Sequence, residues 1–115
     1  MEENIMKILI VGSRSIKEFD LSGYIPKETE LIISGGASGV DSLAEEYADK
    51  HRISKLIMYP KYEIYGRAAP LKRNEIMVDI ADEVLIIWDG KSRGTNYTAK
   101  YAEIKNKKVH LIIKQ

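Results

Sequence analysis

Two short stretches of this chain hold the residue types and spacing that bind anions. The first is Ser34-Gly35-Gly36-Ala37-Ser38-Gly39-Val40-Asp41, and the second is Trp88-Asp89-Gly90-Lys91-Ser92-Arg93-Gly94-Thr95. Each follows an apolar run and precedes a segment with helical periodicity. Glycine at such a junction admits positive φ and lets a ligand reach bare backbone. A helix that starts there offers unpaired N–H groups and the positive end of its dipole, which suits a phosphate. Gly35, Gly36 and Gly39 make one candidate phosphate-binding loop, and Gly94-Thr95 a second. Both stretches also have readings that need no ligand: Ser38 with Asp41 matches a capping box, and Thr95 matches a plain N-cap. The spacing is neither G-x-G-x-x-G nor the P-loop, so it supports neither a dinucleotide site of that type nor an NTPase.

Other polar residues fall where they can complete such a site. Ile76, Met77 and Ile80 predict the buried face of a helix, and Arg73 continues that stripe at the leading turn. An inward arginine needs a carboxylate, a carbonyl or a bound phosphate; Asp41 and Asp89 are the candidate carboxylates. Asn74 beside it can donate and accept. Asp89 ends an apolar strand, a usual place for a ribose-binding or catalytic carboxylate, and it is equally a turn former ahead of Gly90. Trp88 can stack on a base or pack in the core, and Tyr62 and Tyr65 can cover one. Gly12-Ser13-Arg14 closes the first strand in a similar way. His51 and His110 are the two imidazoles and have no metal-ligand spacing, so no metal is expected. No Ser-His-Asp set or acid/base pair of carboxylates stands out.

Composition narrows the function classes. The chain has 115 residues, which predicts one domain over 1–115. Lys+Arg 18 against Asp+Glu 17 gives a formal charge of +1, so no global field recruits nucleic acid or an anionic membrane. A cysteine count of 0 excludes disulfides, a thiol nucleophile and thiolate metal sites. No apolar run approaches the roughly 20 residues that span a bilayer. The start, Met1-Glu2-Glu3-Asn4, is acidic and lacks a signal-peptide pattern, so the expected location is cytoplasmic. Exposed helix faces leave room for a homodimer.

The elements that must position these residues alternate along the chain. Apolar strands are predicted at 6–12, 30–33, 55–60, 83–88 and 109–113. A helix follows the first glycine turn and ends near His51-Arg52, with Val40, Leu43, Ala44, Tyr47 and Ala48 on its apolar stripe. Further helices are predicted from Ala69 or Pro70 to Ala81 and from Asn96 to Asn106. Ile16, Phe19 and Leu21 suggest one or two helical turns, and 61–67 reads as irregular. This pattern predicts an α/β fold: an open parallel sheet of about five strands with helices on both faces. Ligands in such sheets bind beyond the carboxyl ends of the strands. That edge gathers Arg14, Lys61, Arg67, Lys72, Arg73, Lys91 and Arg93 against Asp41, Glu63, Glu75 and Asp89. Seven cations against four carboxylates suits an anionic small molecule better than a long nucleic acid.

In combination these residues resemble a known family. Gly12-Ser13-Arg14, Ser34 to Asp41 with Leu43-Ala44 and Tyr47-Ala48, Arg73-Asn74 with Met77, Ala81-Asp82, and Trp88 to Thr95 are similar to the YspA (cpYpsA-related) branch of the SLOG superfamily. That superfamily also includes the Smf/DprA and LOG proteins. The resemblance spans about residues 8–112. It implies a three-layer Rossmann-like fold and a small nucleotide-binding module, with a sensing role proposed for the branch. The implied ligand is of NAD or ADP-ribose type, or a nucleoside monophosphate. The implied site comprises Gly12, Ser13, Arg14, Ser34, Gly35, Gly36, Ala37, Gly39, Asp41, Arg73, Asn74, Trp88, Asp89, Ser92, Gly94 and Thr95. Two alternatives accompany it. One is a LOG-like hydrolase of N-glycosidic bonds with Asp89 or Asp41 as catalytic carboxylate. The other is a single-stranded nucleic-acid binder like Smf/DprA. LOG enzymes carry Pro-Gly-Gly-x-Gly-Thr-x-x-Glu, and here Thr98 stands where that glutamate falls.

Overall fold

The structure is a computed structural model that describes residues 5–115. Five strands, β1 (Met6–Gly12), β2 (Thr29–Ser34), β3 (Ser54–Ile57), β4 (Glu83–Trp88) and β5 (Lys108–Ile113), form one sheet in the order β3-β2-β1-β4-β5. Every pairing is parallel. The helices are α1 (Val40–Lys50), the short α2 (Tyr62–Tyr65), α3 (Ala69–Ile80) and α4 (Arg93–Ile104), with a 3₁₀ turn at Gly66–Ala68 joining α2 to α3.

Alternate residues of the central strands serve opposite faces, as the pleat requires. Ile8, Ile10, Ile32, Leu85 and Ile87 pack with Val40, Ala44 and Ala48 of α1. Leu9, Val11, Ile33, Val84 and Ile86 pack with Met77 and Val78 of α3 and Ala99 and Ala102 of α4. The sheet therefore has helices on both faces, as the apolar runs predict. β1 feeds β2 on one side, while the α3 crossover carries the chain to β4 on the other. Connections thus diverge beyond the carboxyl ends of β1 and β4, and a crevice opens there.

Several local expectations are corrected. Residues 13–28 contain no helix: Asp20 Oδ1 accepts the Ser22 N–H and hydroxyl, closing a turn, while Ile16 and Leu21 plug into the α1-side core. β3 ends at Ile57, short of the predicted Pro60, because only Met58 N–H extends its ladder, to the Ser34 carbonyl. The 61–67 segment is helical rather than irregular. α4 begins at Arg93, ahead of Asn96, and Ser92 stands at its N-cap position in place of Thr95. On α3 the buried face is Ala69, Arg73, Asn74, Met77 and Val78, whereas Ile76 and Ile80 are 39% and 37% exposed. Arg73 is buried because it lies one turn before Met77 and one turn after Ala69.

Candidate functional site

A cavity of about 330 Å3 occupies the crevice at the carboxyl ends of β1 and β4. Gly12, Ser13, Arg14, Ala37, Asp41, Arg73, Asn74, Asp89, Ser92, Gly94 and Thr95 line it, together with Val11, Ser15, Pro70 and Leu71, which sequence reasoning missed. Ser34, Gly35, Gly36, Gly39 and Trp88 do not reach it. They hold its walls.

Ser13 joins the two glycine turns. Its N–H donates to the Ile87 carbonyl at 3.1 Å, and its own carbonyl accepts the Val40 N–H at 3.4 Å. Its Oγ accepts the Asp89 N–H at 3.0 Å and lies 2.9 Å from Ser92 Oγ. Gly39, at φ 74°, makes this approach possible: a Cβ there would sit 2.5 Å from the Ser13 carbonyl oxygen. The expected Ser38–Asp41 capping box does not form, since Gly39 takes the N-cap position of α1 and no side chain caps the helix.

Asp41 turns back into its own loop instead. Its Oδ2 accepts the Ala37 N–H at 3.1 Å, and Ser34 Oγ donates to its carbonyl at 3.3 Å. The residue is only 4% exposed, and Oδ1 has no hydrogen-bond partner among the described residues. Desolvation pushes this carboxyl above the ordinary range, opposed by the Ala37 N–H and the nearby Arg73 charge.

Arg73, 8% exposed, is held by oxygens of neutral groups rather than by an ion pair. Nη1 donates to the Gly35 carbonyl at 2.6 Å and the Met58 carbonyl at 3.0 Å, and Nε donates to Asn74 Oδ1 at 2.7 Å. Burial lowers its pKa, partly offset by Asp41. Nη2 makes no hydrogen bond among the described residues, so one face of the fork stays available. Asn74 Nδ2 donates in turn to Thr98 Oγ1 at 2.9 Å, which donates to the Gly94 carbonyl at 2.9 Å. Thr98 is fully buried and serves as a brace.

Asp89 forms the second turn by accepting everything within reach. Oδ1 accepts the N–H groups of Lys91 and Ser92, both at 2.8 Å, and Oδ2 accepts the Ser15 hydroxyl at 2.8 Å. The Ser92 and Lys91 amides, followed by the Ser15 hydroxyl, hold this carboxyl well below the usual range. The turn-former reading thus describes Asp89. Its occupied lone pairs also leave it poorly placed to attack or to shuttle a proton.

The start of α4 is the helix terminus that stays open at the cavity. No side chain caps it, Gly94 faces open space with nothing within 4 Å of an added Cβ, and both Gly94 and Thr95 line the cavity. Gly36, by contrast, lies under the Tyr59 ring. The Trp88 indole N–H donates to the Ser92 carbonyl at 2.9 Å, and its ring packs on the α3/α4-side core. The cavity lining has two cations, Arg14 and Arg73, against two carboxylates, Asp41 and Asp89, so the predicted basic excess of the wider rim does not extend into it. Tyr97 and Tyr101 bond Glu75 and Asp79 and tie α4 to α3. Among the described residues no cluster of His, Asp and Glu could hold a metal, and no helix is long and apolar enough to cross a membrane.

No family model matches the sequence, and neither does a curated protein. Among solved structures the chain is similar to DNA processing protein A (DprA) from Streptococcus pneumoniae, with a TM-score of 0.72 and 18% identity. The match covers 96% of this chain and 51% of the other, so this chain spans about half the length of that protein. The likeness establishes a DprA-like, Rossmann-like α/β fold.

Proposed function

We propose that this chain is a YspA-like member of the SLOG superfamily that binds a nucleoside phosphate, of the NAD or ADP-ribose type or a monophosphate, as a sensing module. The observation that carries the reading is the two-ended cavity. At one end the uncapped Gly94-Thr95 helix start suits a phosphate. At the other, Asp41 lines the cavity, and its carboxylate suits a ligand that brings a hydroxyl or amine donor. Arg73 Nη2 adds a counter-charge between them.

Trp88 reports on this site because its indole is bonded to the Ser92 carbonyl in the cavity wall. Its fluorescence is titrated with AMP, ADP-ribose, NAD and a short single-stranded oligonucleotide at two salt concentrations. Saturation by a mononucleotide with weak salt dependence is the expected result, and no response to any of the three small ligands overturns the reading. The second reading, single-stranded nucleic acid, draws on the fold shared with a DNA processing protein. It requires a response to the oligonucleotide that collapses steeply with salt.

A further inference from the structure

We infer that the ligand's base, a planar heteroaromatic ring, seats in a second and smaller cavity beside Tyr59 and Tyr65, across Arg73 from the phosphate end. This rests on the nucleotide reading above. The second cavity, about 100 Å3, is lined by Met58, Tyr59, Ile64, Tyr65, Arg73 and Ile76, among others. Ligand sites for whole small molecules run to about 300–1,000 Å3, so this one is sized for part of a ligand, such as its base. Arg73 lines both cavities. Its bonds to the Gly35 and Met58 carbonyls and to Asn74 lock the guanidinium plane, giving a fixed flat surface on which a ring can stack.

The surrounding segment has an unusual surface. α2 and the 3₁₀ turn after it bury no residue, although they contain Tyr62, Ile64 and Tyr65. Tyr59 is 65% exposed, Ile64 63% and Tyr65 40%. Exposed apolar side chains are ordinary singly, but a contiguous group beside a cavity marks a place where something docks. Trp88, the other aromatic candidate, is committed to the Ser92 carbonyl and the core. Tyr59 and Tyr65 are the aromatic side chains that line this second cavity, and Lys61, which also lines it, can donate to ring nitrogens.

The test compares AMP with ribose 5-phosphate, which keeps the sugar and phosphate and lacks the base. Affinities are measured calorimetrically for the wild type and for a Tyr59→Ala, Tyr65→Ala double variant, whose exposed positions spare the core. The wild type is expected to bind AMP at least about tenfold more tightly than ribose 5-phosphate, the scale of one stacked base. The double variant should lose that advantage and keep its affinity for ribose 5-phosphate. Equal wild-type affinities for the two ligands, or a double variant with unchanged AMP binding, overturn the base subsite and leave the phosphate site standing. If the double variant changes sedimentation and not AMP affinity, the surface belongs to a second copy of the chain and the inference is overturned. Failure of the wild type to bind either ligand overturns the nucleotide reading and the subsite with it.

Discussion

The two glycine turns both set a carboxylate beside a helix start, and they do it in opposite ways. In the first turn Asp41 is buried, one of its oxygens has no partner, and desolvation raises its pKa. In the second turn Asp89 is half-exposed, both oxygens are filled, and its pKa is driven down. The glycines differ too. A Cβ on Gly35 would meet Arg73 Nη1 at 2.8 Å and one on Gly39 the Ser13 carbonyl at 2.5 Å, while one on Gly94 meets nothing. The first turn is closed by its own packing, and the second stays open at the helix start. Glycine in a strand-to-helix turn therefore carries two meanings, close packing inside the chain or access from outside.

Breaking the closed turn has the largest expected effect. Arg73→Leu leaves the Gly35 and Met58 carbonyls unpaired and removes the cation beside Asp41. The expected loss is about 4 kcal/mol in urea unfolding; a loss below about 1 kcal/mol would mean that Arg73 is not what closes the turn. Gly39→Ala places a methyl group against backbone at positive φ and should lose about 2–3 kcal/mol in the same measurement. Gly94→Ala should behave oppositely. The added methyl meets no atom and improves helix propensity, so stability should rise by about 0.5–1 kcal/mol while AMP affinity falls. A destabilised Gly94→Ala protein would erase the contrast between the turns.

The smallest effects lie in the pH dependence, where the signs separate the two carboxylates. Asp89 has a lowered folded pKa, so its contribution is present at neutral pH and is lost as the pH falls below about 4. The Tm deficit of Asp89→Asn should accordingly be greatest near pH 7 and close in acid. Asp41 has a raised folded pKa, so the folded state keeps its proton longer than the unfolded chain does. Wild-type stability relative to Asp41→Asn should therefore decline as the pH rises from about 4. Parallel slopes for the two variants in thermal melts would refute the assignment of opposite environments.

The fold was legible because apolar runs and glycine junctions mark parallel strands, and β4 falls on its predicted residues, Glu83–Trp88. Hydrophobicity alone misorients α3. Its inner face meets the strands with Met77 and Val78 and also buries Ala69, Arg73 and Asn74, leaving Ile76 and Ile80 on the outer side. The start of α4 was misplaced because Asp89 turns the chain through the Lys91 and Ser92 amides, and helical periodicity carries no trace of that. At the site, polar residues at strand ends announced themselves by type and topology. Val11, Ser15, Pro70 and Leu71 line the same cavity without distinctive chemistry, so only the packing reveals them.

Ser13 bears on how the molecule is assembled. Its hydroxyl meets Asp89 and Ser92, 76 and 79 positions further along the chain, and its carbonyl meets the start of α1. A second route, from Gly35 through Arg73, Asn74 and Thr98 to Gly94, also spans most of the sequence. Contacts of such separation form late, after loop closure has been achieved elsewhere. A chain with β1, β2 and α1 docked but β4 still free would hold one glycine turn and no cavity. A ligand of this site would bind the finished chain alone, so its stabilisation would grow with ligand concentration. It should slow unfolding and leave the folding rate unchanged.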